Sequence, residues 1–69
     1  MFNYTVEIDR EEDGRWIAEI PSLPGCIAYG NTREEAVRAV EGLGLRVIAE
    51  RVEAGKADEF ASLAFAVPA

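Results

Sequence analysis

Only one segment of this 69-residue chain has the length, spacing and end signals of a helix, so the rest must fold as strands and turns around it. Thr32-Arg33-Glu34-Glu35 is a capping box. The Thr32 hydroxyl is placed to accept from the Glu35 backbone N–H, while the Glu35 side chain reaches back. Both glutamates sit at the positive end of the helix dipole. Gly55 offers a left-handed C-cap, so a helix is expected over about residues 33–54. Glu34 and Arg38 stand four apart in the favourable order. Ala36, Val40, Leu43 and Val47 share one face, which is expected to pack on a sheet. Leu45, Ile48 and Val52 form a second apolar ridge. It either lies under the C-terminal segment or makes a homodimer contact. Gly42 and Gly44 each cost a helix about 1 kcal/mol relative to alanine, which predicts close approach of another backbone or a kink.

The flanking segments alternate with a period of two. Phe2, Tyr4, Val6 and Ile8 point one way and Asn3, Thr5 and Glu7 the other, as in a half-buried strand. Asp13-Gly14 is a favoured hairpin turn. Trp16, Ala18 and Ile20 then alternate with Arg15, Ile17 and Glu19. Pro21 and Pro24 interrupt the pattern, since proline donates to no ladder. Cys26-Ile27-Ala28-Tyr29 reads as a third strand, and Leu63, Phe65 and Val67 mark a fourth. The expected fold is α+β, in the order β-β-β-α-β: an antiparallel sheet with one helix packed on one face, a single domain over residues 1–69.

A domain this short has a small core, and such chains commonly add disulfides, a metal or a partner subunit. Cys26 is the only cysteine and histidine is absent, so an intrachain disulfide is excluded and a structural zinc site is not expected. A homo-oligomer, a dimer first, remains the natural source of extra buried area. The formal net charge is −6, from seven basic and thirteen acidic residues. That balance argues against DNA or RNA as a direct ligand and favours a basic protein partner. No export signal or apolar run of membrane-spanning length is evident, and one unpaired thiol fits a reducing cytoplasm.

Candidate chemistry is sparse. Without histidine, the commonest general acid–base is missing. Cys26 enters an apolar strand and reads as a buried structural thiol. Glu11-Glu12-Asp13 diverge on a turn and make a poor metal site. Glu7 and Asp9 lie on the first strand, where nuclease folds place a catalytic carboxylate, but a metal-dependent hydrolase is not expected. Phe2, Tyr4, Trp16 and Tyr29 read mainly as core, because base-stacking platforms sit in basic grooves. The expectation is a non-catalytic protein with no cofactor.

One ordered set of residues carries a resemblance. It comprises Tyr4-Thr5-Val6, Asp13-Gly14, Trp16-Ile17-Ala18, Pro21-Ser22-Leu23-Pro24-Gly25-Cys26, Gly30 and Thr32-Arg33-Glu34-Glu35-Ala36. Over about residues 4–50 the chain resembles the HicB antitoxin family in its small stand-alone form. The resemblance implies a partial ribonuclease-H-like fold without nuclease activity. It also implies a partner, a small basic HicA-like ribonuclease toxin that the antitoxin masks. Longer members carry a DNA-binding domain; residues 1–69 show none, and operator binding is not carried over. Gly42 and Gly44 depart from the family's usual continuous helix. The carboxylates expected to be exposed toward a partner are Glu11, Glu12, Asp13, Glu19, Glu34 and Glu35. The alternative is a self-associating structural or regulatory domain without a toxin, held by Leu45, Ile48 and Val52.

Overall fold

A computed structural model describes residues 2–55 and 63–69, apart from the side chains of Phe2 and Leu63. The inward placement expected of those two side chains therefore lies outside the described residues. The order is β1 (Phe2–Thr5), β2 (Glu7–Arg10), β3 (Trp16–Glu19), β4 (Ile27–Gly30), α1 (Arg33–Glu53) and β5 (Leu63–Ala66).

The first alternating segment is one strand in sequence and two in space. β1 pairs parallel with β5, from Phe2 opposite Leu63 to Thr5 opposite Ala66. β2 pairs antiparallel with β3, which pairs antiparallel with β4. The chain changes sheets at Val6, which is fully buried and whose N–H donates to the Ala66 carbonyl at 3.0 Å. Alternation sets which face a side chain takes, but not which strand its backbone meets.

The β2–β3 turn also differs from the two-residue form expected. Gly14 N–H donates to Glu11 O at 2.9 Å, and Glu11 N–H donates to Arg15 O at 2.7 Å. Only Gly14 has positive φ, at 94°. The loop is thus Glu12-Asp13-Gly14, a turn closed by one left-handed glycine. Asp13 Oδ1 accepts from Arg15 N–H at 3.0 Å, and Asp13 Oδ2 holds Arg15 Nε at 2.8 Å. The backbone bond from Arg15, with its side-chain bond and charge, holds the Asp13 carboxyl below its ordinary range.

After β3, two successive turns carry the chain around Pro21 and Pro24. Leu23 N–H donates to Ile20 O and Cys26 N–H to Leu23 O. This folds Leu23 into the core beside Ile20 and Cys26. The Cys26 thiol lies 3.8 Å from the Val40 carbonyl, and burial raises its pKa.

The helix begins where its cap predicts. Thr32 is extended and its hydroxyl accepts from Glu35 N–H at 3.1 Å. Gly55 follows the helix with φ at 69°. The buried helical residues are Ala36, Val40, Gly44 and Ile48, spaced by four. They pack with Val6, Ala18, Ile20, Leu23 and Cys26, while Leu43, Val47, Tyr4, Ile8, Trp16 and Phe65 close the periphery. Ile48 is therefore a core residue, only 4% exposed, and not part of a free ridge; Leu45 and Val52 are each 48% exposed. The stripe drifts around the cylinder because four residues overshoot one turn of 3.6. That drift carries Ile48 inward, away from its sequence neighbours on the ridge.

The two helical glycines separate. A Cβ at Gly44 would lie 2.8 Å from Ile20 Cδ1 and 3.4 Å from the Phe65 ring, so what comes close is side chains and not the backbone expected. A Cβ at Gly42 would meet only Arg46 Nη1, at 3.9 Å. The helix runs through both. Nothing in the structure explains Gly42.

Candidate functional site

The helix covers one face of the three-stranded sheet through Ala18 and Ala28, so alternation turns the intervening residues to the other face. Strand register sets who stands beside whom there. Glu7 is opposite Glu19, and Glu19 is opposite Ile27. Asp9 is opposite Ile17, and Ile17 is opposite Tyr29. The open face is thus a patch of Ile17, Ile27 and Tyr29 flanked by Glu7, Asp9 and Glu19. Ile27 is 41% exposed and Tyr29 48%. A shallow depression along it is lined by Glu7, Ile8, Asp9, Glu11, Ile17 and Glu19. Tyr29 is thereby an exception to the expectation that the aromatics are core, whereas Tyr4 and Trp16 pack against it.

Two arginines border the sheet. The Arg15 guanidinium lies 4.8 Å from the Tyr29 ring centre, and that of Arg10 lies 5.4 Å from the Trp16 ring centre. Both are cation–π contacts, each guanidinium lying over the ring. The one salt bridge among the described residues is Arg15–Asp13, so Glu7 and Glu19 pair with no cation there.

The six carboxylates expected at a partner surface do not form one cluster. Glu11 and Glu19 line the same depression. Glu12 and Asp13 occupy the hairpin tip next to Glu11. Glu34 and Glu35 lie in the first turn of α1, and Glu35 borders a hollow with Arg15, Tyr29 and Arg38. Glu7, Asp9, Ile17, Ile27 and Tyr29 complete the open face and were not among the expected partner residues. Ile17 carried a readable signal: it is an apolar residue on the polar side of an alternating strand.

Among the described residues no three carboxylate or thiol groups gather closely enough to hold a metal. No helix among them is long and apolar enough to cross a membrane.

Relatives of the chain share one name. A UPF0150 protein of Thermoplasma acidophilum is 47% identical over 34 residues, 49% of each chain. A UPF0150 protein of Synechocystis sp. is 42% identical over 40 residues, 58% of this chain and 51% of the relative. The chain thus spans about half the length of these two relatives. A second UPF0150 protein of Synechocystis sp. is 32% identical over 57 residues, 83% of this chain and 81% of the relative. No family model and no solved structure matches the chain. The breadth of that last alignment shows that the chain belongs to the UPF0150 family.

Proposed function

We propose that this chain is a non-catalytic protein-binding module of the HicB antitoxin type, which docks and masks a small basic HicA-like ribonuclease toxin. The observation that carries the reading is the open sheet face, where Ile17, Ile27 and Tyr29 lie beside Glu7, Asp9 and Glu19 on a chain of net charge −6. An apolar centre with a charged rim is the anatomy of a protein interface. The carboxylates would steer a cationic partner and compete with its RNA. On this reading the fold is a partial ribonuclease-H-like one that has kept the sheet and carries no nuclease chemistry. A cytoplasmic setting suits its single buried thiol.

The test is a pull-down from the native cell, followed by titration of purified chain into any small basic protein recovered, read by RNA cleavage. Stoichiometric loss of cleavage is expected, with Glu7→Lys/Glu19→Lys relieving it. Undiminished cleavage at excess chain would refute the masking role. A second reading, a self-associating domain without a toxin, is favoured by the exposure of Leu45 and Val52 seven residues apart on α1. Sedimentation of the chain alone tests it.

A further inference from the structure

The two outer strands of the three-stranded sheet are built differently. β2 carries Glu7, Asp9 and Arg10, and charge is a standard protection against edge pairing. β4 is Ile27-Ala28-Tyr29-Gly30, with no charge, no proline and two exposed apolar side chains. On a chain of net charge −6, this edge is the uncharged border of the sheet.

Its backbone is also free to pair. Ile20 N–H donates to Cys26 O at 3.0 Å, in the same register as Ala18 opposite Ala28. Antiparallel alternation then turns the backbone groups of Cys26, Ala28 and Gly30 toward β3, and those of Ile27 and Tyr29 outward. Ile27 N–H is occupied by Gly25 O at 3.1 Å. Ile27 C=O and both backbone groups of Tyr29 face away from β3, and β4 has no second strand neighbour among the described residues.

We infer that β4 pairs antiparallel with β4 of a second copy of this chain, joining the two three-stranded sheets into one six-stranded sheet. Two-fold symmetry about Ala28 sets Ile27 opposite Tyr29 of the second copy. Tyr29 N–H then donates to Ile27 O of the second copy, and the reverse bond follows by symmetry. One row of the open face reads Asp9, Ile17, Tyr29, then Ile27, Glu19 and Glu7 of the second copy. The four exposed apolar side chains become one stripe at the centre, with the carboxylates at both ends. The occupant favoured is thus a copy of the chain, because this register uses its own free groups twice. A four-residue edge buries less than a standard interface, so the association is weak and concentration-dependent.

Sedimentation of the full chain alone, over a concentration series from micromolar to millimolar, reads the outcome. A monomer–dimer equilibrium is expected. It should vanish in Ile27→Lys/Tyr29→Lys, although that variant lowers the net negative charge, and persist in Leu45→Lys/Val52→Lys. A strict monomer, or a dimer lost only in the helix variant, would overturn the proposal. Register is read by oxidation in a Cys26→Ala background with helix content checked. Ile27→Cys protein mixed with Tyr29→Cys protein should cross-link between chains, because directly paired positions meet disulfide geometry. Either protein alone should cross-link poorly, its matching positions being diagonal neighbours. Equal cross-linking of each protein alone would refute this register. No toxin is present in either measurement, so the result stands apart from the masking role.

Discussion

Glu7 and Glu19 are direct register partners across β2 and β3, so two carboxylates share one site on the open face. Like charges directly opposite each other destabilise a sheet, by roughly 0.2–1 kcal/mol. A local cost of this kind is expected where a surface serves binding. Glu19→Gln should therefore raise stability by about 0.5 kcal/mol in urea denaturation. The same change should weaken binding to a basic partner, with a shallower salt dependence.

Gly42 and Gly44 should respond oppositely to alanine. Gly42→Ala meets open space near Arg46 and should gain roughly 0.5–1 kcal/mol of helix propensity. Gly44→Ala gains the same propensity but drives a methyl into Ile20, which is fully buried. Overpacking costs about 1–3 kcal/mol, so the net change should be destabilising. Denaturation midpoints of the two variants check the signs.

Ile48→Glu should unfold the chain instead of splitting a folded dimer, because it places a carboxylate in the core. Leu45→Glu and Val52→Glu should stay within about 0.5 kcal/mol of the parent, both residues being half exposed. Far-ultraviolet circular dichroism separates the cases: helix content should fall only in the first.

Cys26 makes stability fall at alkaline pH. Burial raises the folded thiol pKa above its unfolded value, so the folded state keeps its proton longer. The contribution is complete below the unfolded pKa and is lost as pH rises toward the folded one. Cys26→Ala should flatten this part of the pH profile, though it costs packing at every pH. A thiol reagent should label Cys26 only as fast as the core opens, since the side chain is 1% exposed.

Much of the fold could be read from neighbouring residues. Thr32 caps the helix, Gly55 ends it in the left-handed region, and alternation places Ala18 and Trp16 on the helix side of the sheet. The acidic hairpin tip was equally legible from Glu12 and Asp13. The open face is legible only in part: charge marks Glu11 and Glu19 as partner carboxylates, whereas Glu7, Asp9, Ile27 and Tyr29 join them only through strand register.

Helix caps and side-chain alternation depend on residues within a few positions of one another, and the sequence by itself determined them, along with the place of the β2–β3 turn though not its three-residue form. Tertiary structure alone decided the change of sheet at Val6, the parallel pairing of β1 with β5, and the burial of Ile48 apart from Leu45 and Val52. It also decided that Glu7 faces Glu19 while Ile17 meets Tyr29. The physical reason is that strand register and helix rotation minimise the free energy of the whole core. A strand's alternation is satisfied by any partner at the correct parity, and only packing against Ile20, Leu23 and Val40 selects among them.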